Sequence, residues 1–384
     1  MIVGVVAPEF PPERGGMQRY AHEVVTELAR RGHRVMVLTR AGHSSQPPVE
    51  GVQIVPSLTG GWYRDRPTIQ TYARRFDIWH VMNAAWSWVA LALAEPLVLS
   101  TYGNDFLSPN PVAGFDLAGR LGLPWGSRLD YSLARWRTPR LMKKGLRRVH
   151  RILAISHFTE AAFLRSFPFC EGKTTVVLPG LSDDLFAVDR HPVDTRCISL
   201  LSVCRLTDPR KSIDVVLHAL ARLRSRFAFA YAIVGDGPLR APLEQLARDL
   251  GLGDRVRFLG DIDDVTLSRC YASADLFVLA ATASTKSVEG FGIVYLEAAA
   301  CGTPVLAART GGVEDAVLDG VSGMLIDEVS VETVTGALTR FLSGDVLFDR
   351  ERCCAFARSF TWSRTANGII AAYEAALDSS GAAL

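Results

Sequence analysis

Short apolar runs recur along the chain, at residues 2–7, 78–82, 97–102, 152–156, 175–178, 198–203, 230–234, 256–260, 276–280 and 303–307. Runs of this length, bounded by glycine, proline or polar turns, predict strands buried on both faces of a parallel sheet. Between them the period changes. Met17, Tyr20, Ala21, Val24, Val25, Leu28 and Ala29 recur at i, i+3, i+4, i+7, i+8, i+11 and i+12, the spacing of an amphipathic helix. Gly32 stops that helix and residues 34–39 return as a strand, so the chain opens on a βαβ unit. Helices are also predicted over 213–223 and 364–377, and the alternation continues to about residue 345.

This alternation predicts an α/β protein built on doubly wound parallel sheets. A length of 384 residues makes two domains the natural expectation. The turn-rich stretch 179–193 supplies the join: residues 1–187 form the first domain, 188–195 the linker and 196–363 the second domain. Residues 103–136 carry several prolines and glycines and read as a long irregular loop of the kind that usually serves function.

The chemistry concentrates at 288–303, VEGFGIVYLEAAACGT. Glu289 and Glu297 stand eight residues apart. Gly290, Phe291 and Gly292 form a tight turn, and the apolar run from Ile293 enters a helix. The free N–H groups and positive dipole end of such a helix suit a phosphate. Glu297 falls about one turn into the helix and Glu289 in the loop before it, so the two carboxylates can flank one ligand. A buried helix with two solvated acids fits the same residues. Gly15 and Gly16 lie where a strand's carboxyl end meets a helix, which is both a ligand position in open α/β sheets and an ordinary place for turn glycines. Arg205 and Lys211, in RLTDPRKS between a strand and the 213–223 helix, either face a ligand or line a solvated loop. The Gly-Asp-Gly-Pro at 235–238 lacks the third glycine of a dinucleotide fingerprint.

Composition narrows the partners. A net charge of +2 gives no case for nucleic acid. Seven cysteines without metal-ligand spacing read as reduced thiols of a cytoplasmic protein. The opening MIVGVVAPEF has no basic leader and reads as a strand rather than a signal peptide. No run approaches the ~18 apolar residues of a membrane span.

The 288–303 stretch resembles the E-x7-E motif of retaining glycosyltransferases with the GT-B fold, glycosyltransferase family four: Glu289, Gly290, Phe291, Gly292 and Glu297 match it position by position. Arg205 and Lys211 match the arginine and lysine that bind the donor diphosphate in that family, with Cys204 and Ser212 where glycines are usual. Gly311, Gly312 and Asp315 match a GG-x-x-E turn with Asp for Glu. Residues 256–260, around Phe258, are similar to the nucleotide-base pocket. Gly15 and Gly16 match a glycine pair that lines the cleft, and Tyr102-Gly103-x-Asp105 stands where many members carry His-Gly-x-Asp.

The resemblance covers most of the chain and is strongest over 196–327. It implies two Rossmann-like doubly wound parallel-sheet domains facing a central cleft, with the final helix, about 364–378, packing back onto the first. It implies retaining transfer of a hexose-type sugar from a nucleotide diphosphate sugar to a hydroxyl acceptor. Glu297 is then assigned to the ribose hydroxyls and Glu289 to a hydroxyl of the transferred sugar. Arg205, Lys211 and the turn at Gly292 and Ile293 are assigned to the diphosphate. The first domain would bind the acceptor, a sugar, a lipid-linked molecule or a small molecule. Tyr102, Asp105 and His80 are its acceptor-side candidates, although a phenol with an ordinary pKa near ~10 is a poor base.

No cofactor beyond the donor substrate and no metal is expected. Asp261-Ile262-Asp263 is followed by Asp264 and reads as a helix-capping turn rather than a metal-binding D-x-D pair. The same scaffold also suits an epimerase, a phosphorylase or a non-catalytic nucleotide-sugar protein. Glu289, Glu297, Arg205 and Lys211 together favour the transferase.

One further pattern concerns location. Arg140, Lys143, Lys144, Arg147, Arg148 and Arg151 recur at helical spacing, with Pro139 placed to start the helix and Met142, Leu146, Val149 and Leu153 on the other side. This predicts a helix over 139–151 whose basic face either rests on anionic lipid, with Trp125 and Trp136 at the interface, or is solvated over a core-packed helix. The protein would then be cytoplasmic and peripheral at the inner face of the membrane.

Overall fold

The computed structural model describes residues 1–12, 15–40, 49–112, 126–188, 197–284 and 287–381, with backbone only for 126–130. The chain divides into two compact units, Met1–Gly180 with Trp362–Leu384, and Leu181–Thr361.

The first unit holds a seven-stranded parallel sheet of β1 (Ile2–Val6), β2 (Arg34–Arg40), β3 (Val52–Leu58), β4 (Ile78–Val81), β5 (Leu97–Thr101), β6 (Arg151–Ala154) and β7 (Thr174–Val176), in the order β3-β2-β1-β4-β5-β6-β7. Helix α1 (Gly16–Arg30) buries Tyr20, Ala21, Val24, Val25 and Leu28, one stripe at the predicted spacing. Burying such side chains contributes roughly 1.5–3 kcal/mol each for Val or Leu. The register pairs Val3 with Val35 and with Ile78, so β1 is a central strand, with Val3, Val5 and Val6 buried.

Neither β3 nor α2 (Trp62–Thr71) was predicted. The strand is an edge strand containing Pro56, which donates no ladder bond, and the helix contains Pro67. Asp65 ties α2 to the end of β3: buried, it accepts from Thr59 N, Thr59 Oγ1, Gly60 N and Gly61 N at 2.7–3.0 Å.

The region read as irregular contains two helices, α3 (Asn104–Leu107) and α4 (Gly126–Leu146). The expected helix start at Pro139 is corrected, because Pro139 lies inside α4. Arg148 and Val149 close a turn on the Gly145 carbonyl, and Arg151 and Leu153 belong to β6. Met142, Leu146 and Val149 are buried in the core with Trp79, Trp86 and Trp88. Residues 113–125, including Trp125, lie outside the described residues.

The sheet's other side carries α13 (Trp362–Gly381), packed against α1, β5 and β6. Thr365 Oγ1 donates to the Leu178 carbonyl at 2.8 Å, and Arg31 Nη2 to the Ser363 carbonyl at 2.7 Å. The first unit also contains α5 (His157–Ser166), capped by Ser156, whose hydroxyl accepts from Thr159 N.

The second unit holds a six-stranded parallel sheet of β8 (Ile198–Val203), β9 (Phe229–Val234), β10 (Val256–Gly260), β11 (Leu276–Leu279), β12 (Val305–Ala308) and β13 (Gly323–Ile326), in the order β10-β9-β8-β11-β12-β13. Its helices are α6 (Ile213–Leu223), α7 (Arg240–Asp249), α8 (Asp264–Ser273), α9 (Ile293–Ala300), α10 (Val313–Ala316), α11 (Val331–Leu342) and α12 (Arg350–Ala357). Asp263 caps α8 by accepting from Thr266 N at 2.9 Å. Strand order reverses between β8 and β11, and open α/β sheets bind ligands at the carboxyl ends beside such a reversal. The boundary between the units falls at 180/181, earlier than the expected 188–195 join; of that join only residue 188 is described. The return falls at 361/362.

Candidate active site

At the reversal in the second unit, β8 runs out into Cys204 and the exposed Arg205. A 3-10 turn, Pro209–Lys211, follows, with Asp208 accepting from Arg210 N at 3.0 Å. Arg210 Nη2 bonds Asp208 at 2.5 Å and its backbone carbonyl accepts from Thr282 N at 2.8 Å, which joins this turn to the end of β11. Lys211 Nζ reaches Glu289 Oε2 at 2.5 Å. The Glu289 carbonyl accepts from Gly312 N at 2.9 Å. A Cβ at Gly311, whose φ is +62°, would lie 2.2 Å from that carbonyl oxygen, so the backbone approach requires glycine there.

Gly292 is the N-cap of α9 with φ +83°, and a Cβ there would meet the Tyr295 ring at 2.3 Å. Tyr295 is buried and donates to the Leu279 carbonyl at 3.0 Å. Arg205, Lys211, Glu289 and the N-terminus of α9 therefore gather at the carboxyl ends of β8 and β11. Among the described residues Arg205 makes no ion pair, whereas Lys211 is committed to Glu289. Burial pushes the Cys204 thiol up to about 11, with Lys211 acting the other way.

Glu297 is only 3% exposed and accepts from the Tyr271 hydroxyl at 2.9 Å. Phe291 is buried against Phe360, ring centroids 6.3 Å apart. Phe258 is half-buried at the end of β10, where its carbonyl accepts from Arg240 Nη2 at 3.2 Å.

In the first unit the sheet reverses between β1 and β4, and Gly15 and Gly16 open α1 beside that point. A Cβ at Gly15 would lie 2.4 Å from the Gln18 side-chain oxygen, while Gly16 is exposed with open space around it.

The three acceptor-side candidates differ. His80 is fully buried, with Nδ1 2.8 Å from Tyr373 Oη and Nε2 2.8 Å from Ser100 Oγ. Burial pulls its pKa down to about 3. Through these two bonds the imidazole joins α13 to the sheet. Asp105 is buried and accepts from Ala84 N, Tyr102 N and Thr101 Oγ1, joining the ends of β4 and β5. Burial raises its pKa and those bonds lower it. Tyr102 is 6% exposed, its hydroxyl has no partner among the described residues, and burial raises its pKa well above the phenol range.

Outside these strand ends, the exposed large apolar residues among the described residues of the first unit are Tyr63, Tyr131, Leu133 and Trp136, all on α2 and α4. Residues 131–149 contain seven cations and no acid, in a chain of net charge +2. A cavity of about 240 Å³ between the two helices is lined by Trp62, Tyr63, Arg137, Arg140, Leu141 and Lys144. Arg140 stacks on Trp136 at 3.9 Å.

Tyr271, Tyr295 and Arg210 support the site and were not singled out from the sequence. Each acts through a tertiary partner, and no local spacing signals that.

Two Rossmann-like units with cations, an acid and a helix N-terminus at the reversal of one sheet define a GT-B glycosyltransferase, which takes its sugar from a nucleotide-sugar donor. Residues 189–359 match "Glycosyl transferases group 1" and residues 14–185 match "Glycosyltransferase Family 4"; the chain belongs to glycosyltransferase family four. It is 30% identical over 386 residues to the GDP-mannose-dependent alpha-(1-6)-phosphatidylinositol monomannoside mannosyltransferase of Mycolicibacterium smegmatis, covering 91% of this chain and 90% of that one. It is 31% identical over 415 residues to the D-inositol 3-phosphate glycosyltransferase of Geodermatophilus obscurus, covering 97% and 87%. In fold it is similar to sucrose-phosphate synthase from Thermosynechococcus elongatus, with TM-score 0.73, 20% identity and coverage of 97% and 98%. Anabaena HepE in complex with UDP and glucose superposes with TM-score 0.70, 20% identity and coverage of 96% and 98%.

Proposed function

We propose that this protein is a retaining, metal-independent hexosyltransferase that moves a sugar from a nucleotide diphosphate sugar to a hydroxyl of a lipid-linked acceptor. The gathering of Arg205, Lys211, Glu289 and the α9 N-terminus at one sheet reversal carries this reading.

Breaking the bond between the anomeric carbon and phosphate builds negative charge on the diphosphate. Fixed cations and helix N–H groups stabilise such charge without reorganising. Glu289, held by Lys211, faces the transferred sugar, where its charge favours an oxocarbenium-like state. Glu297 binds the ribose hydroxyls. The acceptor hydroxyl attacks from the face the diphosphate leaves, and the leaving phosphate takes its proton. Tyr102 is the acceptor-side hydrogen-bonding group.

The acceptor reading rests on two observations. Both relatives above act, by their names, on inositol-containing molecules. The cationic and aromatic surface of α2 and α4 suits an anionic lipid face at ~1 kcal/mol per charge near the surface. Of the basic residues identified from the sequence, Arg140, Lys143, Lys144, Arg147 and Arg148 are exposed on or directly after α4. The exposed apolar residues of that surface are Tyr63, Tyr131, Leu133 and Trp136 rather than the buried Met142, Leu146 and Val149. Among the described residues no helix is long and apolar enough to cross a membrane, so contact would be peripheral, at the inner face.

The test is turnover with a panel headed by GDP-mannose and phosphatidylinositol acceptors, with and without EDTA, and the product's anomeric configuration read by NMR. An inverted product, or activity lost to EDTA and restored by Mg²⁺, overturns the mechanism.

A further inference from the structure

Tyr271 lies on α8, outside every motif that points to the donor site. Its ring is fully buried and packs on Phe277, centroids 5.8 Å apart, which packs in turn on Tyr295. Its backbone carbonyl accepts from Thr303 Oγ1 at 2.5 Å, directly after the turn that ends α9. Side chain and backbone are thus both fixed, and the hydroxyl donates to Glu297 Oε2 at 2.9 Å.

We propose that Tyr271 is the positioning residue for nucleotide recognition: its phenol fixes the Glu297 carboxylate in the orientation that accepts the two ribose hydroxyls. This rests on Glu297 being the ribose ligand.

A carboxylate that must accept from both hydroxyls of a cis-diol needs its plane held facing them. Glu297 rises from the first turns of a short helix on a side chain with three rotatable bonds. A donor locked by an aromatic stack restricts that freedom before the nucleotide arrives, which lowers the ordering cost of binding. Being a neutral donor, the phenol also satisfies a carboxylate that is almost wholly out of water without adding a charge that would compete for it. The consequence is selectivity for ribose over deoxyribose, set by a residue that never touches the ligand.

The experiment titrates GDP, UDP and ADP onto the full-length protein, takes the tightest binder, and compares it with its 2′-deoxy and 3′-deoxy forms. It does so for wild type, Tyr271→Phe, Glu297→Ala and the double variant. The Phe change keeps the ring, and melting curves confirm that each variant is folded at the temperature used.

Tyr271→Phe should lose about ten-fold in affinity for the ribonucleotide, the worth of one hydrogen bond to a charged group. Its discrimination against the deoxy forms should shrink, KM for the donor should rise and kcat should change little. The double variant should bind no more weakly than Glu297→Ala alone, because the phenol acts only through the carboxylate. Wild-type affinity and discrimination in Tyr271→Phe, or losses that add in the double variant, overturn the proposal and leave Tyr271 a packing residue. Full ribose discrimination in Glu297→Ala overturns the ribose assignment itself, a separate result.

Discussion

Lys211 Nζ sits 2.5 Å from Glu289 Oε2, and each side chain is one-fifth exposed. A pair so far out of water leaves the survivor uncompensated when one member is removed. Lys211→Ala and Glu289→Ala are each expected to lower kcat by about 10²–10³, the typical effect of deleting one group that stabilises developing charge. The double variant should fall well short of the product of the two losses, because the residues act as a unit. Arg205→Ala, lacking such a partner, should lower turnover with little change in melting temperature. Steady-state kinetics and thermal melts on the four variants check this.

Gly292→Ala tests the entry to α9. Its left-handed φ costs an alanine about 1–2 kcal/mol, and the added Cβ would meet the Tyr295 ring. Melting should drop, and donor affinity with it, because the turn that presents the helix N-terminus must shift. Unchanged affinity in a folded variant would remove this turn from the donor site.

Protonation of His80 should couple acid to stability. Its native pKa is lowered to about 3, while the unfolded value is near 6.5. Between those values the unfolded chain binds more protons, so this contribution is fully present above about pH 6.5 and is lost as pH falls toward 3. The slope is at most about 1.4 kcal/mol per pH unit. His33 and His150 are depressed in the same direction, so only the part of the slope removed by His80→Gln belongs to this site. Denaturant melts from pH 7.5 to 4.5 on both proteins measure it.

The α4 surface should bind vesicles containing anionic lipid, weaken as salt rises, and ignore neutral vesicles. Reversing Lys143, Lys144, Arg147 and Arg148 to glutamate should abolish co-sedimentation while leaving transfer to a soluble acceptor unchanged. Trp136→Ala should weaken binding in a salt-insensitive way, since that side chain is 57% exposed and apolar. Absence of binding at low salt would favour a soluble acceptor.

The central strands, α1 and the turn into α9 were legible because local signals agree there: apolar runs, 3.6 periodicity and glycines where φ is positive. The start of α4 was not. Pro139 deprives the residue-135 carbonyl of its helical donor and so reads as a first position. Both residues are exposed, where water can serve that carbonyl, and the side chains of Thr138 and Arg140 bond the carbonyls of Ala134 and Trp136. The tertiary pairings were equally hidden. Nothing in the sequence joins His80 to Tyr373, 293 positions away, or Tyr271 to Glu297. A histidine at a strand end reads the same whether it meets a substrate or a phenol from the last helix.

Leu181 and Thr361, the two ends of the second unit, bridge as parallel neighbours, with Leu181 N donating to the Phe360 carbonyl at 3.1 Å. On the other side of the cut, Leu178 and Thr365 are hydrogen-bonded in the first unit. The second unit is therefore a cassette spliced into its host at a single seam. Excision needs no rewiring: 181–361 closes on itself, and a few-residue patch from 180 to 362 would restore a continuous host. Recombination between relatives can exchange the cassette as one piece, so that the two units need not share an ancestry. Cooperative melting of the excised segment, with nucleotide raising its midpoint, would establish that it folds alone.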